Sequence, residues 1–180
     1  MDYSLSLRKP ILNFSDLILY FWATTLVIAN ILLIYFVHQV NVSGVVLGKI
    51  LLPIYFFTLI AGGRFGWKCG LIVGLVTPII SNLVSGIPMA PVLYFVIFKS
   101  VVLGVTSGLL VNRESYKASF LDLVKIVFVY QALGSMFIFV FSHNLNMALM
   151  DVYIGWPGLI IQLIAGRVFL KMLNYEKENI

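Results

Sequence analysis

The chain has 180 residues, 61% of them hydrophobic and only 11% charged, with a mean hydropathy of +1.04 and a net charge of +5. Soluble domains average roughly 45–50% apolar and 25% charged residues, so the composition excludes a water-soluble globule and points to a bilayer. Nucleic acid is not implied by the positive charge, because Lys and Arg fall in short loops and at segment ends, with no basic stripe or aromatic-interleaved patch.

In chain order, Arg8 and Lys9 precede an apolar run of about 21 residues, longer than a signal-peptide core and without a small-residue cleavage site. It reads as a retained first span. Crossing roughly 30 Å of hydrocarbon takes about 20 apolar residues, and six runs qualify, near 17–37, 45–62, 68–84, 91–111, 120–142 and 155–173. Gly62-Gly63 and Pro78 interrupt the second and third. The expected fold is all-α: one membrane domain over 1–180, a bundle of six transmembrane helices with both termini cytoplasmic.

The placement of basic residues supports that orientation. Arg8 and Lys9, Arg64 and Lys68, Arg113, Lys117 and Lys125, and Arg167, Lys171 and Lys177 all fall on the cytoplasmic side, ten of the twelve Lys and Arg. The three outer loops, near 38–44, 85–90 and 143–154, hold none, as the positive-inside rule requires.

Between Ala61 and Pro91 lies AGGRFGWKCGLIVGLVTPIISNLVSGIPMAP, with glycines four apart at 62, 66, 70 and 74. That spacing puts small residues on one helical face, and in lipid such a face lets two backbones approach closely. The stretch reads as a close-packed hairpin, with Arg64 and Lys68 at a tight inner turn and Asn82 to Pro91 as a cover over a pocket. The single cysteine, Cys69, has no companion for a disulfide or zinc site and reads as packing.

Two basic residues fall inside spans. Lys49 lies one turn into span 2, where its stem can snorkel to the interface. Lys99 lies about 12 Å into span 4 at 1.5 Å per residue, and an ionisable side chain at such depth faces a cavity or a partner. No acid is expected at that level, since Asp16, Glu114 and Asp122 read as cytoplasmic and Asp151 as part of the last outer loop. Lys99 is thus a candidate substrate contact, the alternative being a structural lysine bonded to backbone carbonyls. Asn30, Asn82, Gln131 and Gln162 lie at comparable depth. Each alone serves as interhelical glue more often than as a ligand contact; with Lys99 and Lys49 they outline a polar pocket open to the outside. Tyr94, Tyr153 and Trp156 stand where outer loops meet spans, either as an interfacial belt or as a cover for a ligand.

Catalytic motifs are missing. The sequence has no GxxxxGK[ST] loop, no HExxH and no paired-acid helix, no GxSxG elbow and no Ser/His pair within the spans. His38 and His143 lie in different outer loops. An enzyme is not expected, and neither is a bound cofactor or metal.

The succession LLPIYFFTLIAGGRFG (51–66), GLIVGLVTPIISNLVSGIPMAP (70–91), GVTSGLL (104–110) and GWPGLIIQLIAGRVFLKML (155–173) resembles the substrate-binding S-components of energy-coupling factor (ECF) vitamin transporters. The most specific pieces are the Gly-x-Pro turn after span 3 and the Pro-Gly-x-x-x-Gln opening of span 6. The resemblance implies a six-helix protein of the prokaryotic plasma membrane that binds a vitamin at its outer side with high affinity. It implies no hydrolysis by this chain: the partners would be a membrane coupling subunit and two cytosolic ATPases, which use the ATP. Members often carry small residues four apart in span 1 for docking on the coupling subunit, and Ala23, Thr25 and Ala29 match in relaxed form. Where members with a similar span 4 commonly have an acid, this chain has Lys99, so the substrate expected is a small anionic vitamin or precursor. The alternative is a structural scaffold of the rod-shape-determining type, which is similarly small, apolar and multi-span.

Overall fold

The computed structural model describes residues 13–42, 45–46, 48, 51–111 and 119–175. Six α-helices make up nearly all of it: α1 (Leu17–His38), α2 (Phe56–Phe65), α3 (Trp67–Ser85), α4 (Val92–Leu110), α5 (Phe120–Ser142) and α6 (Leu145–Tyr175). Between α1 and α2 lie a two-residue antiparallel ladder, in which Asn41–Val42 pairs with Val45–Val46, and a 3-10 turn at Pro53–Tyr55. Five of the helices, all but α2, are long and apolar enough to cross a membrane. Large apolar side chains such as Phe21, Phe36, Leu83, Phe128, Phe141 and Ile164 are exposed around the bundle. A soluble monomer rarely shows so much contiguous apolar surface, whereas lipid accepts it and requires only that backbone groups be bonded internally, as they are in helices. This is the architecture of a multi-pass membrane protein.

The short helix is the centre of the bundle. α2 touches α1, α3, α4 and α6, and its residues Thr58 to Gly63 are buried without a break. The other helices bury one stripe each. On α4 that stripe is Phe95, Lys99, Ser100, Leu103, Gly104, Ser107 and Gly108, on α5 Leu123, Ile126, Val127, Tyr130, Gln131, Gly134 and Ile138, both with the three- and four-residue steps of an amphipathic helix. Ser119 caps α5, its hydroxyl accepting from the Leu121 N–H at 3.3 Å. Gly86 ends α3 at φ +70°, the left-handed region that glycine enters without strain.

The second predicted span is therefore not one helix. Leu52 at φ +50° and the 3-10 turn at Pro53 break it, and the ten residues of α2 rise about 15 Å, half of the hydrocarbon thickness. The four glycines do not share one helical face either. Gly66, at φ 101° and ψ 167°, is the break between α2 and α3, with Gly62 on one side of it and Gly70 and Gly74 on the other. The surface they approach is α4. A Cβ at Gly62 or Gly70 would run into Gly104, and one at Gly74 into the Ser100 backbone. The last predicted loop, 143–154, is mostly helix: α6 begins at Leu145, two residues after His143 turns the chain at φ +51°.

Helix ends sort into two groups. Lys68 Nζ donates to Asn13 Oδ1 at 2.7 Å, Gly108 lies against Gly66 and Trp67, and the Arg167 guanidinium stands 5.8 Å from the Phe120 ring. The start of α1, the α2–α3 break, the end of α4, the start of α5 and the distal half of α6 thus share one end of the bundle, where Arg64, Lys68, Lys125 and Arg167 lie. At the other end, the described residues next to His38, Gly86, Pro91 and His143 include no Lys or Arg.

Candidate functional site

Helices α4, α5 and α6 meet around one buried charge. Lys99 points inward from the third turn of α4 and is 1% exposed. Its stem lies in a notch left by Gly134 of α5, where a Cβ would come within 2.8 Å of the lysine Cδ and Cε. Its ammonium stands 5.9 Å from the centre of the Tyr55 ring and 5.8 Å from that of Tyr130, and the two rings lie 5.6 Å apart. The negative face of an aromatic ring attracts a cation held at such a distance.

Lys99 has an acidic partner. Its Nζ donates to Asp151 Oδ2 on α6, and Gln131 Nε2 donates to the same oxygen at 3.2 Å. The expectation that no acid reaches this depth is overturned, because the segment around Asp151 is helix. Asp151 belongs to the inward stripe of α6, Ala148, Asp151, Gly155, Gly158, Gln162, Gly166 and Leu170. The expected outer loop near 143–154 cut this stripe in two, with Ala148 and Asp151 on one side and Gly155 to Leu170 in the sixth predicted span on the other. About three turns further along α6, Gln162 Oε1 accepts from the Tyr130 hydroxyl at 2.9 Å. Gln131 Oε1 and Gln162 Nε2 have no partner among the described residues, so the hydrogen-bonding capacity of the centre is not exhausted.

Of the residues expected to line a pocket, the structure brings Lys99, Gln131 and Gln162 together and adds Tyr55, Tyr130, Gly134 and Asp151. Asn30 is buried but serves another purpose, its Nδ2 donating to the Ile54 carbonyl at 2.8 Å and tying α1 to the 3-10 turn before Tyr55. Asn82 Nδ2 donates to the Pro88 carbonyl at 2.8 Å, and Ser81 Oγ to that of Ile87 at 2.7 Å. The turn after α3 is thereby fastened to α3. The layer immediately outward of Lys99 is apolar instead, made by Phe95, Ile138 and Ala148 with Phe137 and Met147 against them. Trp156 is on the outer surface of α6, 54% exposed, and Lys49 lies outside the described residues. On α1, Ala23 is buried among Leu19, Val27, Ala61 and Val73 and offers no surface to a partner, while Thr25 is exposed and Ala29 half-buried.

A cavity of about 410 Å³ opens between α5 and α6, with Val127, Phe128, Gln131, Ser135, Val152 and Leu159 among its lining residues. Its walls are apolar. It shares Gln131 with the charged centre, the same side chain that donates to Asp151.

These features define the class: a helical, multi-pass membrane protein with an ion pair and its amide and phenol neighbours enclosed between three helices. Comparisons with protein-family models, with curated proteins and with solved structures give no match.

Proposed function

We propose that the chain is the substrate-binding subunit of an ECF-type uptake transporter, taking a small anionic vitamin or precursor at the outer face of a prokaryotic plasma membrane. The observation that carries the reading is the centre itself. A lysine buried among helices, with a half-buried aspartate as its partner, is costly to keep out of water, and ionisable groups within a membrane bundle mark substrate or ion pathways by default. The chain would cross the bilayer six times, with the 3-10 turn and α2 together making the short second crossing. Clustering of Arg64, Lys68, Lys125 and Arg167 at one end supports placing that end, and both termini, in the cytoplasm. Thr25 and Ala29, four apart on α1, are the small residues left for docking on a coupling subunit. That subunit and two cytosolic ATPases would supply the energy, and this chain would catalyse nothing.

One observation favours a second reading. Lys99 already has a counter-ion, as a structural residue would, so a scaffold of the rod-shape-determining type is the rival. Native mass spectrometry of the purified chain separates them: a binding subunit carries a small molecule out of the membrane, and a scaffold comes off empty. For the first reading, Lys99→Met should abolish that co-purification.

A further inference from the structure

We propose that Lys99 and Gln131 form a carboxylate-binding site which Asp151 fills from within, and that a soluble ligand binds by putting its own carboxylate in the place of Asp151. The inference rests on the substrate-binding reading and names the chemistry of its site.

The two members of the pair differ in freedom. Lys99 is 1% exposed, clasped by the Gly134 notch and two tyrosine rings; the side chain of Asp151 is 31% exposed. Asp151 also stands near an edge. With 31 residues, α6 is about 46 Å long, roughly 16 Å more than the hydrocarbon it crosses. Asp151 lies about 9 Å from its start, and with the excess shared equally by the two ends it would stand where hydrocarbon gives way to headgroups. Turned outward, the aspartate takes its charge to a polar medium. Lys99 has no such exit.

Both donors of the centre converge on one oxygen, Asp151 Oδ2. An ammonium and an amide N–H aimed at the same point are a ready-made receptor for a carboxylate, whichever molecule supplies it. Charge balance then restricts the ligand. An incoming carboxylate replaces the departing one, so Lys99 is paired both before and after the exchange, whereas an uncharged ligand would strand the ammonium and a cation would add a second positive charge. The unpaired Gln131 Oε1 and Gln162 Nε2 offer an acceptor and a donor to the rest of the ligand.

The test uses the full chain in phosphatidylcholine nanodiscs, with thermal unfolding followed against acetate, the side-chain fragment of aspartate, and against acetamide at matched ionic strength. In Asp151→Ala, acetate should raise the unfolding temperature and acetamide should not. The wild-type chain should respond to acetate too, with a midpoint about tenfold or more higher, because only molecules whose Asp151 has swung out can bind. Lys99→Met should abolish both responses. No acetate response in the wild type, equal midpoints in wild type and Asp151→Ala, or a response surviving Lys99→Met would each overturn the exchange. So would a wild-type chain stabilised by phosphatidylserine in the disc and by no soluble carboxylate. If Asp151→Ala does not fold, Asp151→Asn, which keeps the shape and can still accept from Lys99, takes its place. Exchange without uptake in cells that hold a coupling module leaves this inference standing and removes transport; uptake unchanged in Lys99→Met and Asp151→Asn does the reverse.

Discussion

Helix α4 serves two seams built on opposite terms. Toward α2 and α3 it presents Ser100, Gly104, Ser107 and Gly108, and the backbones come so close that Gly104 meets Gly70 with no side chain between them. Toward α5 and α6 it presents Lys99, a long charged side chain that needs a glycine opposite, two aromatic rings and an aspartate from a third helix. Lipid gives helices no hydrophobic reason to associate, so they hold together by close packing or by polar bonds. The glycine seam uses the first and leaves nothing that can be exchanged. The polar seam uses the second, and its parts are side chains with alternatives.

The glycine seam is the more sensitive of the two to an added atom. A Cβ added at Gly70 would stand 2.7 Å from the Gly104 carbonyl carbon and 2.8 Å from the Gly62 Cα. These are backbone atoms, which no rotamer change can move. Gly70→Ala or Gly104→Ala should therefore cost about 3 kcal/mol or more, the top of the usual range for overpacking, read as a loss of folded monomer in detergent unfolding. A fall under 1 kcal/mol would mean that the seam yields as side chains do.

Comparable in size is the larger half of the ion pair, and the polar seam predicts unequal halves. Asp151→Leu leaves a nearly inaccessible ammonium unpaired and should cost about 3–5 kcal/mol. Lys99→Met leaves an aspartate that can turn outward and should cost clearly less. The double variant should recover most of the larger loss, since a packed apolar pair is often as stable as a buried ionic one. Equal losses would put Asp151 as deep as Lys99. Gly134→Ala comes third. Its Cβ meets the flexible stem of Lys99, so the lysine can shift, and a cost of about 1–2 kcal/mol, in the lower part of the overpacking range, should show in the same unfolding assay.

Legibility in the sequence follows the same division. Helical content, the five long spans and the burial of Lys99 rest on local runs of residues, and the sequence carried them. The glycines were recognisable as a close-packing surface, but their partner was Gly104 and Gly108 some 40 residues on, and nothing in a four-residue spacing names the helix it will face. Gly66 looked like a rung and proved to be a break, because a glycine that packs and a glycine that turns are the same letter. The charged centre was half legible. Lys99 stands out within a long apolar run, whereas Asp151 falls in the short stretch between Asn146 and Gly155 that reads as a connection between two spans. Pro157, at the opening of the sixth predicted span, lies within α6, where neighbouring helices can make good a missing N–H. Tyr55 and Tyr130 gave no signal at all, since a tyrosine in a membrane span is unremarkable until a cation is found beside it.

The smallest expected effect bears on what covers the polar seam. Read from sequence, the turn after α3 is a cover over the pocket; in the structure Ser81 and Asn82 bind the Ile87 and Pro88 carbonyls and fasten it to α3, on the glycine side of α4. Gly86 sits there at φ +70° with nothing within 4 Å of an added Cβ, so Gly86→Ala meets no neighbour and pays only for a left-handed backbone, about 1–2 kcal/mol. If the turn belongs to the glycine seam, that loss appears in unfolding while the acetate response stays at its wild-type midpoint. Phe95→Ala, in the apolar layer just outward of Lys99, should do the contrary to the midpoint, lowering it by opening the path along which Asp151 leaves. A midpoint that moves with Gly86 and not with Phe95 would return the cover to the α3–α4 turn and join the two seams into one moving unit.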